Sequence, residues 1–271
     1  ELAARFAGQP QMLAIVGSRA HAQALFAAIR EQPGAAHLST LMCARHRREV
    51  LAMARARLAA GEPVRIVSTS LIEAGGDISF PEVWRAVSGL DSIAQAAGRC
   101  NRNGLLAEGR VVVFEPAEAK VPHALEQFWQ ATREVLRHHA GDLLAPEAIT
   151  AYFQALYAQR ETGNPTALDA TPVEDQPGVL PALARHAKGG DFPFRTIGEA
   201  FRLIDQEMPP VLVPYGDEAK GLLAALAAAE RPTGRLMRAL QPYVVTIPRG
   251  LRDRWLAQGV LRAAHPAAGE A

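Results

Sequence analysis

Two cysteines occur in 271 residues, Cys43 and Cys100. With neither a C-x-x-C pair nor a His/Cys cluster at ligand spacing, no disulfide framework and no zinc or other metal site is indicated, and both thiols are expected to be reduced. No run of about eighteen apolar residues occurs and no charged-then-apolar leader opens the chain. Neither a membrane span nor secretion is therefore indicated, and a cytoplasmic location is the default expectation. Also lacking is any G-x-x-x-x-G-K-[ST] stretch, the loop whose amides and lysine cradle nucleotide phosphates. The chain opens on Glu1 rather than methionine, and the "LAARF" that follows reads as the tail of a helix, so the sequence is expected to be part of a longer polypeptide.

What is present suits a folded globular protein: 49% of residues are hydrophobic and 21% charged. The formal charge of +1 hides an uneven distribution. Residues 1–118 hold 13 Lys+Arg against 11 Asp+Glu, residues 119–230 hold 9 against 15, and residues 231–271 hold 7 against 2. The tail is the basic part. A polyanion partner requires such a patch, and a solvated surface accounts for it nearly as well.

From Gln11 to about Pro116, short β-rich runs alternate with helical ones. "MLAIVG", "HLSTL", "VRIVST", "VWRAV" and "RVVVFE" are apolar almost throughout, as strands buried on both faces of a parallel sheet must be. Between them, "SRAHAQALFAAIREQ" has Ser18 to cap its first turn, and "ARHRREVLAMARARLAAG" stops at Gly61. The alternation predicts an α/β domain with a three-layer parallel sheet over residues 1–118. A helical extension follows at 119–160, where Trp129, Phe153 and Tyr157 fall at helical spacing and are expected to be buried. Residues 161–195, rich in Pro, Gly and acid, read as a linker with one helical turn. A small α+β accessory domain at 196–271 closes the chain, with Trp255 expected to anchor its last helix.

Ligands of an open parallel sheet bind beyond the carboxyl ends of its strands. There, after "VRIVST", stands "SLIEAGGDISF". Gly75 and Gly76 permit a close backbone approach, Asp77 can bond a ribose or orient an arginine, and Thr69 can bond a phosphate. Alone, this is also what an ordinary loop looks like. Beyond the next strand stands "GLDSIAQAAGRCNRNG". Asp91 or Ser92 is expected to start a helix that carries Gln95, Arg99 and Arg102 on one face, where arginine forks match phosphate. An exposed basic face is the plainer reading of that spacing. What distinguishes it is the order: strand, Thr-x-x-x-Glu-x-Gly-x-Asp, strand, Gln-x-x-Gly-Arg-x-x-Arg.

That order resembles the second RecA-like domain of superfamily two helicases. "IVSTSLIEAGGDISF" looks like their motif V and "DSIAQAAGRCNRNG" like their motif VI. "LAIVGSRAHAQALF" and "LSTLMCARHRREVL" are similar to motif IV and the nucleic-acid-contacting segment after it. The likeness is closer to one branch, the helicase-nuclease of type I CRISPR interference, whose accessory-domain phrases "FPFRTIGEAFRLI" and "LQPYVV" also recur in order. Ser70 stands where glutamine is usual, and Gly76 where a β-branched residue is usual.

The resemblance implies an ATP-dependent translocase on single-stranded DNA, of which this chain is the C-terminal portion. Arg102 becomes the arginine finger, Arg99 a second phosphate contact and Gln95 a group positioning the nucleotide or its attacking water. Gly75 and Asp77 line the same cleft, and Gly98 lets the motif VI helix pack close to a strand or phosphate. Thr69 and, more weakly, Ser39 hold the DNA backbone, with Arg235 and Arg249 of the basic tail along its path. ATP and Mg2+ are expected to be held mainly by a preceding RecA-like domain, since no D-E-x-H occurs here, and a nuclease domain is likewise expected upstream. The implied partners are single-stranded DNA and the CRISPR guide-RNA surveillance complex. A DNA-repair or RNA helicase of the same superfamily, or a non-catalytic nucleic-acid-binding module, shares part of this pattern.

Overall fold

Alternate residues of the apolar runs face opposite sides of one sheet. In a computed structural model, which describes residues 2–73, 77–116, 123–139, 141–161, 171–201 and 208–265, the first helix, α1 (Leu2–Gly8), leads into β1 (Gln11–Ile15). Then come α2 (Arg19–Ile29), β2 (Ala35–Leu38), α3 (Ala44–Ala59), β3 (Val64–Ser68), β4 (Glu82–Ala86), α4 (Leu90–Ala97) and β5 (Arg110–Phe114). The five strands lie in the order β2-β3-β1-β4-β5 and every pairing is parallel. This is the doubly covered α/β sheet that the sequence predicts, with β3 and β5 within their predicted runs and β1, β2 and β4 overlapping theirs.

The period of two builds two cores. Leu13, Ile15, Ile66 and Val83 join Leu38, Ala54 and Ala96 on one face. Met12, Ala14, Val67 and Trp84 join Phe6, Ala22, Leu25 and Ile29 on the other. Strands buried on both faces have no polar side to spare, which is why the runs are apolar almost throughout. Ser18 caps α2 by accepting from the His21 amide at 3.2 Å. Gly61, with φ +72°, ends the turn after α3 in a conformation that a side chain would resist.

The chain divides into two compact units, Glu1–Pro122 together with Met208–Ala271, and His123–Glu207. In the second, α5 (His123–His138) and α6 (Pro146–Glu161) pack on each other, followed by α7 (Val179–His186) and α8 (Phe194–Ala200). Helix α6 buries Tyr152 and Leu156, whereas Phe153 and Tyr157 are 38% and 53% exposed and stack on one another, with centroids 6.0 Å apart. The expected burial of those two rings is therefore wrong: the buried positions four apart are 152 and 156, one step round the helix. Where the sequence suggested one turn, α7 runs eight residues, and Val179 and Ala182 pack with Val173, Leu183 and Ile197.

In the first unit, residues 208–265 form β6 (Pro210–Leu212), α9 (Gly216–Ala228), α10 (Gly234–Leu240), β7 (Val244–Thr246) and α11 (Arg249–Ala257). Strands β6 and β7 pair antiparallel. This module packs on the start of α3: Cys43 is buried with Ala219, Tyr243, Val245 and Ile247, and Trp255 packs against the same cluster, as its position predicts.

Candidate functional site

The carboxyl ends of β2 and β3 lie side by side, since Leu38 and Ser68 are in register and the Thr69 amide donates to the Leu38 carbonyl at 3.2 Å. This brings Ser39 and Thr69 together at one strand edge. Both are largely buried, at 2% and 9% exposure. The chain then makes a short 3-10 turn over Ser70–Ile72, closed by the Glu73 amide on the Ser70 carbonyl. Gly75 and Gly76 lie outside the described residues. Beyond them the chain is held by Arg55 of α3, whose Nε donates to the Asp77 carbonyl at 2.8 Å.

The motif VI stretch departs from its expected helix. Helix α4 begins at Leu90 with Gly89 as its cap, so neither Asp91 nor Ser92 starts it, and it stops at Ala97. Gln95 is exposed on the helix, but Arg99 and Arg102 follow its end and share no helical face with it. The cause is a backbone pairing twenty residues back in sequence. The Arg99 carbonyl accepts from the Phe80 amide at 2.8 Å and the Asn101 amide donates to the Phe80 carbonyl at 2.8 Å, a parallel bridge that no continuing helix allows. Asn101 completes the turn at φ +42°, its side chain clasping the backbone of Leu106. Gly98 has φ −63°, and among the described residues a Cβ there would meet only the Gln95 and Ala94 carbonyl oxygens, at 3.4 and 3.6 Å. Close approach to a strand is thus not its role.

The two arginines of the turn differ sharply in burial. Arg99 is 7% exposed, and its Nε and Nη2 donate to the carbonyls of Ile72 and Glu73 at 3.0 and 2.7 Å. Burial, with the nearby charge of Arg102, lowers its pKa from the usual arginine value. Arg102 is outward, 44% exposed at the side chain, with Nε 3.2 Å from Asp77 Oδ1. Its amide donates to Ser79 Oγ at 2.9 Å. Asp77 itself is 82% exposed at the side chain. An exposed pair of this kind contributes at most about 1 kcal/mol, so both groups are available for exchange with another ligand. Arg235 and Arg249 are exposed on α10 and at the start of α11, in the C-terminal module.

A buried polar cluster that the sequence reading left unassigned meets Arg99 through Glu73. Arg85, in the middle of the apolar run of β4, is 2% exposed and its Nε stands 2.8 Å from Glu73 Oε1. Ser92, on the first turn of α4, accepts from Arg85 Nη2 at 2.8 Å and donates to Glu73 Oε2 at 2.7 Å. Burial pushes the Glu73 carboxyl up, opposed by Arg85 and the Ser92 hydroxyl. The signal was legible: an arginine inside "VWRAV" must find strong acceptors, because a buried charge with no partner is too costly to keep.

Residues 9–105 match the family model described as CRISPR-associated nuclease/helicase Cas3, C-terminal. Over 62 residues the chain is 48% identical to the CRISPR-associated nuclease/helicase Cas3 of Haloferax volcanii, a stretch that is 21% of this chain and 6% of that protein. The T. fusca Cas3-ATP crystal structure superposes with a TM-score of 0.58 at 17% identity, over 95% of this chain and 34% of that one. A CRISPR RNA-guided surveillance complex, pre-nicking, contains a chain that superposes at 0.52 and 16% identity, over 88% of this chain and 33% of its own. The fold is therefore the RecA-like α/β fold of those structures, and the chain spans about a third of the length of those solved relatives.

Proposed function

We propose, from the match of residues 9–105 to the Cas3-like C-terminal family model, that the chain is the C-terminal portion of an ATP-dependent translocase on single-stranded DNA acting in CRISPR interference. The observation that carries this reading is the pair of arginines on the turn after α4. Arg99 is locked to the backbone of the β3–β4 loop, and Arg102 is displayed to solvent on a weak tether to Asp77.

ATP with Mg2+, held mainly by a preceding RecA-like domain, supplies the free energy when bound. The residues here fit a secondary role toward it: a permanently charged fork at an exposed site, with no phosphate loop. Arg102 leaves Asp77 for the more highly charged phosphate and stabilises charge developing during phosphoryl transfer. Gln95, exposed two residues before the end of α4, orients the nucleotide or the attacking water. Arg99 holds the Ile72–Glu73 backbone in place, which makes it a positioning group more than a direct phosphate contact. Thr69 and Ser39 border the DNA path at the ends of β3 and β2, through their hydroxyls, while Arg235 and Arg249 add salt-dependent contacts to the strand. Asp77 lines the nucleotide side. The cleft between the two RecA-like domains closes when Arg102 is engaged and opens when it is released, and each cycle moves the Thr69 edge along the strand. The CRISPR RNA-guided surveillance complex delivers the DNA.

The test is stimulation of ATP hydrolysis by the full-length protein. Single-stranded DNA is expected to raise turnover well above the nucleic-acid-free rate, with RNA of the same sequence far less effective. A clear preference for RNA contradicts the proposal.

A further inference from the structure

We propose that Glu73 is a positioning residue that sets the arginine turn, joining the loop after β3 to the start of α4 through Arg85 and Ser92. The inference rests on the role given above to Arg102. Glu73 binds with both its side chain and its backbone. Its carboxylate meets Arg85 at 2.8 Å and Ser92 at 2.7 Å, and its carbonyl accepts from Arg99 Nη2 at 2.7 Å. Four segments therefore converge on it: the 3-10 turn after Thr69, the middle of β4, the first turn of α4 and the turn after α4. The Ser92 hydroxyl spends its single donor on Glu73 and accepts from Arg85, so the triangle closes with one geometry.

A buried ion pair contributes little net stability, because desolvation consumes most of the attraction; apolar residues of similar volume often hold a fold equally well. What the triangle provides instead is direction. Ser92 fixes the start of α4, Arg99 fixes its end to the same residue, and Arg102 stands three residues further on. Thr69 stands four residues before Glu73. A displacement at the Thr69 edge thus reaches the arginine turn through one side chain and one peptide group.

Full-length E73Q, S92A, the double variant E73Q/R85M and R102A are compared for DNA-stimulated turnover, KM for ATP and melting temperature, each rate normalised to folded protein. E73Q removes the charge while keeping the shape. It is expected to lower kcat about 10- to 100-fold, as misplacement of a catalytic group does, with KM for ATP nearly unchanged. S92A is expected to lower kcat in the same direction by a smaller factor. The double variant removes the unpaired charge that E73Q leaves on Arg85, and is expected to recover the melting temperature without recovering kcat. Recovery of kcat in the double variant would show that Glu73 only neutralises Arg85, and would overturn the proposal. Wild-type kcat in both E73Q and S92A overturns it as well. R102A separates this failure from a failure of the function itself: if R102A is inactive while E73Q is not, only the role of Glu73 falls.

Discussion

Four donor groups converge on the Glu82 carboxylate at the start of β4. Arg5 approaches with Nε and Nη2 at 2.7 and 2.6 Å, Gln9 Nε2 at 2.9 Å and Trp84 Nε1 at 2.6 Å. The Arg5 guanidinium, with Trp84 and Gln9, holds the carboxyl down to about 2, from 4.5 when unperturbed. A depressed folded-state value means that the stabilisation is complete above about pH 4.5 and is lost as pH falls toward 2. By linkage it amounts to about 2–3 kcal/mol. E82Q is expected to lose about that much at pH 7 and to flatten the dependence of stability between pH 4.5 and 2, measured by denaturant titration at several pH values. An unchanged acid slope in E82Q would place the sensitivity elsewhere. Residue roles were partly legible in the sequence. Gln95, Arg99 and Arg102 are spaced as a helical stripe, but spacing does not say where a helix stops, and the Phe80 bridge that stops it involves a residue about twenty positions away. Arg85 was visible as an oddity in an apolar strand, while its partners Glu73 and Ser92 are set by the crossing of β4 and α4, which no local pattern encodes.

At the scale of elements, the strands were the most legible part. A strand buried on two faces needs an apolar residue at nearly every position, and five such runs cannot easily be anything else. Leu13, fully buried on the central strand β1, illustrates the energetics. L13A is expected to cost about 2–5 kcal/mol, read as a lower denaturation midpoint, because the rigid sheet cannot collapse into the cavity. A loss under 1 kcal/mol would mean that the sheet is far more plastic than its packing implies. Docking of the C-terminal module on α3 was not legible. His46 stacks on Tyr215 with centroids 4.5 Å apart, and the Tyr215 hydroxyl donates to Glu49 Oε2 at 2.6 Å. These contacts join residues 166 or more positions apart. Y215A is expected to accelerate amide exchange in β6, β7 and α9 while leaving β1 and β3 protected, because Tyr215 ties the module to α3 by both its ring and its hydroxyl. Uniform acceleration across both would show that the module and the sheet open as one cooperative unit.

For the molecule as a whole, the reading turns on the division of labour between domains. The sheet supplies strand ends, one locked arginine and one exposed arginine, while phosphate-cradling chemistry is assigned to a preceding domain. The charge distribution fits this division. The basic tail at residues 231–271, with 7 Lys+Arg against 2 Asp+Glu, belongs to the unit that contains the sheet. The central claim is that Arg102 acts across a domain boundary on a nucleotide held elsewhere in the full-length protein. Its most direct test is DNA-stimulated ATP hydrolysis by full-length R102A alongside equilibrium ATP binding. Loss of turnover by about a thousandfold or more, with ATP affinity retained, is the predicted result. Turnover at the wild-type rate would contradict it.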